Sequence, residues 1–374
     1  MKNLLIIFVI FLLACSCEKN TVIDDIITKR DLQLNSIHTA LITKDNDILI
    51  AGVYDSKTTF IKTDADFGIL WRKDNYEWGT NYSEGGWGGA FYSVNIIALF
   101  QNDNKNYVCI GSTAEGGDVI WMSAIIIELN QYGEELKKIE IQDFSVNDAL
   151  HTSDNGYLLM GNKLIKLDNN LDILWEKEFT DHDYMETKII NNIEGGYAVT
   201  GINNGEIFLK RLDQNGNELW ANEVSYNKNP FDDAGYDLIQ LDDQGFIIIG
   251  RTRKTHEPYD IDCYIIRTDF PGDTIWTKKF GGNTNEWLNS FIYSSDDEFI
   301  IQGTNGFPND SIQQSILLDI DLNGQIINSG YMEKFEILLY NPSGYFLKAC
   351  KLDENNIKLS KIPFSNLFIQ ESNI

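Results

Sequence analysis

A chain of 374 residues is long enough to bury a large core, and its 43% hydrophobic and 12% aromatic content excludes a disordered polymer. The formal net charge of −26 excludes charge-driven binding to nucleic acid or to anionic lipid head groups. With 29 glycines against 6 prolines, the chain is expected to turn often and tightly.

The first element is a targeting segment. Lys2 precedes the apolar run LLIIFVIFLLA at 4–14, well short of the ~20 residues needed to span a bilayer. Residues 1–14 therefore read as a signal peptide. The LLAC that ends at Cys15 resembles a bacterial lipoprotein lipobox, with Cys15 as the lipidated residue and Cys17 as the alternative acceptor. The resemblance implies a lipoprotein whose mature N-terminus carries several acyl chains, palmitate among them. Several chains anchor stably where one does not. Ser16, not Asp, follows the cysteine, and by that family's rule this implies the outer membrane, with the periplasmic or cell-surface side left open. Residues 15–35 then form a lipidated N-terminus and linker.

Beyond residue 35 the chain repeats itself. One column pairs an aromatic or isoleucine with a glycine four residues later: Ile48/Gly52, Tyr107/Gly111, Tyr157/Gly161, Tyr197/Gly201, Phe246/Gly250 and Phe299/Gly303. Tyr345/Ala349 is a degenerate seventh. A second column pairs Asp with a Trp seven residues later: Asp64/Trp71, Asp168/Trp175, Asp213/Trp220 and Asp269/Trp276. Asn130/Lys137 and Asp321/Asn328 keep the spacing and lose the Trp. The columns advance by about 50 residues per copy, and each copy holds four short strand-like runs separated by Gly, Asn and Asp turns. In the fourth copy the runs are METKIINN, GYAVTG, IFLKRL and ELWANEV.

One four-stranded sheet cannot bury both faces, whereas a ring of such sheets buries each face against its neighbours. Seven copies predict an all-β, seven-bladed β-propeller of four-stranded antiparallel blades over residues 36–374. Six or eight blades would overturn the arithmetic. The last copy lacks a good fourth strand. Either NLFIQ at 366–370 or TVIDDII at 21–27 is expected to supply it, the second as an N-to-C clasp. Each Trp is expected to wedge against the next blade, without a chemical role. The G-x-x-x-W of Gly216/Trp220 and Gly272/Trp276 resembles the docking motif of quinoprotein-type propellers, with one residue fewer between Asp and Gly. The whole repeat is similar to that of uncharacterised β-propeller-repeat lipoproteins of Bacteroidota, some labelled after bulb-type lectins. That resemblance implies the fold and leaves the activity open.

In such a meander, connections between strands two and three lie at the same end as the links between blades. The other turns lie at the opposite end. The long insertions, 74–92, 112–122, 251–262 and 304–315, all fall in the first set. One end is thus decorated and the other plain, and loops on a rigid scaffold are where binding residues concentrate. The decorated end supplies Trp78, Tyr82, Trp87, Trp121, Arg251, His256 and Tyr259 as candidate ligand-binding residues, flat aromatics and cations suited to sugar rings or peptide side chains.

Other patterns read as scaffold. A charged column two residues before the repeated Asp (Lys62, Glu128, Lys166, Arg211, Arg267 and Asp319) is expected to form ion pairs between blades. DIDLNG at 319–324 opens like a calcium loop, but Gly330 stands where the bidentate Glu is required, so no metal is assigned. His38, His151, His182 and His256 are scattered, and neither HExxH nor G-x-S-x-G occurs, so no catalytic residue and no cofactor are assigned. Cys109, Cys263 and Cys350 lie in strand-like runs, where buried thiols are expected and one long-range disulfide is the alternative. Together these observations point to a membrane-anchored module that binds a glycan or a protein. An envelope-assembly scaffold is the alternative. A propeller enzyme is a third reading, but its quinone-dependent form needs a cofactor-stacking Trp and a metal cluster for which the sequence has no signature.

Overall fold

The computed structural model describes residues 29–367 except 56, 76–90, 117–119, 180–183, 226–232, 256–259, 283, 296–297, 307–313, 334, 336, 354–355 and 365–366. The chain folds into seven four-stranded antiparallel sheets, each the blade of a β-propeller. Blade 1 runs from strand Ser36–Ile42 to Ile69–Asn75, blade 2 from Phe91–Gln101 to Glu135–Gln142, and blade 3 from Asp148–His151 to Ile173–Glu178. Blade 4 runs from Tyr184–Asn191 to Glu218–Glu223, blade 5 from Ala234–Gln240 to Thr274–Phe280, and blade 6 from Glu286–Ser294 to Ile326–Glu333. The first strands of successive blades lie side by side, and blade 7 meets blade 1, so they ring a central axis.

The first repeated column builds the core between blades. Tyr107, Tyr157 and Phe246 open the second strands, Phe299 is the second residue of its own, and all four are fully buried. The glycine four residues on lies against the first strand of its own blade or the chain leading into it. A Cβ on Gly161 would sit 1.9 Å from the Ser145 carbonyl oxygen, and one on Gly250 1.9 Å from that of Ala234. No side chain fits there without displacing the backbone. Cys109, Cys263 and Cys350 are buried in the second and third strands. Cys109 and Cys263 are free thiols whose pKa burial pushes up, which makes them unreactive.

Closure differs from both segments expected to provide it. Blade 7 comprises Ile337–Asn341, Tyr345–Asp353 and Asn356–Pro363, and its fourth strand is Lys29–Gln33. The N-to-C clasp therefore exists, but KRDLQ forms it rather than 21–27 or 366–370. Lys29 pairs with Ser360 and Gln33 with Asn356. An outer strand buries one face alone, so a polar segment suffices if its inward residue is apolar. Leu32 is 1% exposed, and Leu34 just beyond it is fully buried, both among Ile48, Ile50, Ile357 and Leu359.

The second column is an interlock between blades. In each hairpin between strands three and four, the leading Asp or Asn accepts hydrogen bonds from its own turn. Asp213 Oδ1, for example, accepts from the Asn215 and Asn217 amides at 2.8 Å. The residue three positions after it has positive φ. Where that residue is glycine, the Trp of the preceding blade lies on it. A Cβ on Gly133 would fall 2.8 Å from the Trp71 ring, on Gly216 2.8 Å from Trp175, on Gly272 2.7 Å from Trp220, and on Gly324 2.7 Å from Trp276. Trp71 Nε1 also donates to the Gln131 carbonyl of the next blade at 2.9 Å. Two hairpins follow a blade without a Trp. There the same position is Phe67 (φ 67°) and Leu171 (φ 66°), whose side chains are buried instead.

The charged column departs from expectation: its bonds stay within blades. Lys62 Nζ pairs with Asp47 at 2.7 Å, Lys166 with Asp154 at 2.9 Å, and Arg267 with Asp243. Glu128 accepts from Asn102 and Asn106, and Arg211 donates to the Gly195 carbonyl at 2.8 Å. Each of these five ties the third strand to the first turn of its own blade. Asp319 instead accepts from Asn328 on the adjoining fourth strand at 2.7 Å. The cause is register. The column residue sits where the third strand shifts against the fourth, and its side chain runs along its own sheet toward the turn.

Candidate functional site

The two ends of the propeller are built differently. At one end the turns between strands one and two, and three and four, are tight, with leading residues that bond their own turn amides. At the other end the hairpins lengthen. In blade 2 the strands Tyr107–Gly116 and Ile120–Leu129 stay paired out to Gly116 and Ile120. In blade 5, Phe246–Thr255 and Asp260–Thr268 stay paired out to Thr255 and Asp260. The insertions at 112–122 and 251–262, expected as loops, are therefore mostly strand. Their backbones find ladder partners instead of solvent. The inserts at 74–92 and 304–315 lie largely outside the described residues.

Trp78, Tyr82, Trp87, His256 and Tyr259 also lie outside the described residues, as do Cys15 and Cys17. Trp121 stands on the third strand of blade 2, opposite Glu115. Arg251 stands on the second strand of blade 5, opposite Ala234 on one side and Cys263 on the other. Its guanidinium lies 5.9 Å from the centre of the Tyr236 ring. Tyr236 is at a bulge in the first strand of blade 5, so Arg251 belongs to the wall beside the axis. Burial raises the Tyr236 pKa, and Arg251 opposes the rise.

The structure adds a charged group on that wall that sequence reading missed. Asp148, Lys188 and Asp237 occupy the same register position on the first strands of blades 3, 4 and 5, opposite Met160, Thr200 and Ile249. Lys188 Nζ lies 3.3 Å from Asp148 Oδ1, with 34% of its side chain exposed. Asp148 Oδ2 accepts from the Ile189 amide at 2.9 Å. Asp237 accepts from the Leu238 amide and, across the blade boundary, from the Phe291 amide, both at 2.9 Å. Thr187, at the bulge of blade 4, donates to the Gly235 carbonyl of blade 5 at 2.6 Å. Together these bonds stitch four neighbouring blades, 3 to 6, around the axis.

Its charge state is set by burial. Burial raises the Asp148 pKa, with Lys188 and the Ile189 amide acting against it. Burial works to lower that of Lys188, but the two carboxylates outweigh it, so the ammonium persists. Burial pushes Asp237 up from 3.8 to about 6. A raised carboxylate pKa means that the folded state binds the proton more tightly. The resulting stabilisation is complete below about 3.8 and is lost as pH rises through about 6. The two-unit shift corresponds to about 3 kcal/mol. The stability of the native protein relative to Asp237→Asn is therefore expected to fall by about 2–3 kcal/mol between pH 4 and pH 7. Denaturant titrations of both proteins across that range check this; a difference independent of pH would disprove it.

No protein-family profile matches the chain, and no curated protein matches its sequence. Solved structures do share its fold. The Neurospora crassa Pan2 WD40 domain matches with a TM-score of 0.55 and 13% identity, covering 88% of this chain and 89% of that one. BBS1N, in a complex with ARL6DN, matches with a TM-score of 0.52 and 8% identity, covering 90% and 93%. A chain of the Drosophila Plexin A complex with Semaphorin 1b matches with a TM-score of 0.50 and 8% identity, covering 90% and 88%. At these identities the likeness establishes the seven-bladed propeller and nothing finer.

Proposed function

We propose that this chain is an envelope lipoprotein, anchored in the outer membrane through Cys15, whose propeller binds a glycan or protein partner at the end bearing the lengthened hairpins. The observation that carries this reading is the asymmetry between the ends. The turns at one end are tight and self-bonded, while blades 2 and 5 extend paired hairpins from the other. A stable scaffold needs no such extensions, and binding residues concentrate on structure raised above a rigid frame. The similar structures of BBS1N with ARL6DN and of Plexin A with Semaphorin 1b are complexes of proteins, which favours a protein partner.

A glycan array and an envelope pull-down with folded protein are expected to yield a partner. Its binding should be lost when the blade 5 hairpin, 251–262, is cut to a short turn. Blank results from both, or binding that survives the cut, would count against this reading. Acylation is tested separately. Incorporation of labelled palmitate should vanish in Cys15→Ala and persist in Cys17→Ala; the reverse pattern would move the anchor to Cys17.

A further inference from the structure

The residue that precedes the repeated aromatic or isoleucine sits beside the charged column of the third strand. In blades 3 and 5 it is glycine, and the column cation lies over it. A Cβ on Gly156 would fall 2.4 Å from Lys166 Nζ, and one on Gly245 2.2 Å from an Arg267 guanidinium nitrogen. In blades 1, 2 and 6 it carries a side chain that meets the column residue directly. Lys62 meets Asp47 at 2.7 Å, cation on anion. Glu128 meets the Asn106 amide at 2.9 Å, anion on donor. Asp319 meets Glu298, acid on acid. The register is the same in all three, with Leu49 opposite Lys62, Val108 opposite Glu128 and Ile300 opposite Asp319.

Burial disfavours this contact between two anions. Asp319 is 2% exposed, and Glu298 is half-buried. Asn328 donates to Asp319 Oδ2 at 2.7 Å, but among the described residues no N–H or hydroxyl donates to its buried Oδ1. Two carboxyls that share a site do not both ionise, whereas one proton between them makes a strong O–H···O⁻ bond. The neighbouring elements supply no cation in its place. Asp321, opposite Glu298, accepts from the Asn323 and Gln325 amides of its own turn at 2.8 Å. The face of the third strand that carries Asp319 also carries Leu317, which shares a cluster with Leu338, Phe346 and Tyr340 of blade 7, none of them charged. Lys361 of blade 7 engages Asp66, and Lys348 lies 5.9 Å from the centre of the Phe335 ring.

We propose that Glu298 and Asp319 share one proton, a catch that holds the first turn of blade 6 in acid and releases it when the proton is lost. The proton sits on the Glu298 carboxyl and is donated to Asp319 Oδ1. Its departure to solvent breaks that hydrogen bond and leaves two negative charges in contact. The backbone of Glu298 closes the turn, its N–H donating to Ser295 Oγ at 3.2 Å and its carbonyl accepting from the Ser295 N–H at 2.9 Å, so repulsion at its side chain strains the turn. Burial raises the pKa of both acids. The Asp319 charge raises Glu298 further, while Asn328 and the Glu298 proton draw Asp319 back. A raised value places the stabilisation in full below the ordinary 4.5 of a glutamate and removes it as pH rises through the folded value. The catch lies at the end opposite the lengthened hairpins, so this proposal stands or falls apart from the preceding one.

Carbon-13 NMR and thermal unfolding of the full chain between pH 4 and pH 8 test it. The Glu298 carboxyl resonance should titrate above 4.5. E298Q gives Asp319 a donor that does not ionise, as Asn106 does for Glu128 in blade 2. It should melt about 2 °C above the native protein at pH 8 and show no such gain at pH 4. The same difference should persist in a D237N background, which separates it from the titration of Asp237. Hydrogen exchange at the Ser295 amide should quicken in the native protein relative to E298Q as pH rises. A Glu298 resonance that titrates at or below 4.5, or a gain in E298Q that is equal at both pH values, would overturn the proposal. So would calcium or magnesium chloride that raises the native melting temperature at pH 8 and leaves E298Q unchanged, because a metal ion would then hold the pair. Should E298Q fail to fold, the resonance alone decides.

Discussion

Gly272→Leu is expected to destabilise the propeller by about 3 kcal/mol, and Trp220→Lys added to it should restore part of that loss. The first cost has two sources. A side chain at φ +90° loses about 1–2 kcal/mol, and its Cβ would lie 2.7 Å from the Trp220 ring, forcing an overpacking cost of about 1–3 kcal/mol. The rescue is read from the chain's own variants. Between blades 2 and 3 the Trp is replaced by Lys137, and the opposing glycine is replaced by Leu171. There Lys137 reaches the Asn170 carbonyl at 2.5 Å and Asp172 at 3.2 Å, and Leu171 fills the space a ring would occupy. Trp220→Lys alone should cost about 2 kcal/mol, because the ring is only partly buried. A double-mutant cycle by denaturant unfolding should return a coupling of at least ~1 kcal/mol in the compensating direction. Additive costs would show that the Trp and the glycine do not act as a pair.

Removing the clasp should have the larger effect. A chain beginning at residue 36 lacks Lys29–Gln33 and Leu34, and so leaves the edge of Asn356–Pro363 open and Ile357 and Leu359 uncovered. Losing two buried leucines costs about 2–5 kcal/mol each, which together rivals the whole stability of an ordinary domain. The truncated chain is expected to lose its cooperative unfolding transition, and a peptide of residues 29–35 should restore it when supplied in excess. An unfolding midpoint equal to that of a chain beginning at residue 29 would show that the clasp does not close the ring.

The blade count was legible because each blade repeats the same local problem. A second strand must bury an aromatic and give way to a carbonyl, so Tyr157/Gly161 and Phe246/Gly250 recur in the sequence at equal spacing. The Trp was legible as a packing residue. Its partner was not, because periodicity places residues in columns without saying which column faces which. The substitution of Phe67 and Leu171 where no Trp precedes was the available signal. The clasp was misplaced because apolar content favoured 21–27, whereas an outer strand needs a single inward residue, here Leu32. Asp148, Lys188 and Asp237 each stand nine residues before the repeated aromatic, as do Thr39, Ala98 and Ser290. Aligning that column over the six copies that keep the glycine would have exposed three charges among neutral equivalents. The lengthened hairpins were placed at the correct end, but their inserts carry no repeat, and so no periodic signal separated strand from loop.

The direction of the clasp strand has a further consequence. Gln33 pairs with Asn356, beside the turn between strands two and three of blade 7, and Lys29 pairs with Ser360, further toward the opposite end. The polypeptide therefore meets the ring from the side of the tight turns. With a lipid on Cys15, as proposed, the 13 residues from 16 to 28 reach at most about 45 Å. Such a leash would attach the ring at its tight-turn side, the end opposite the hairpins of blades 2 and 5. Those hairpins would then stand at the end away from the point of attachment, free to meet a partner that the lipid does not carry.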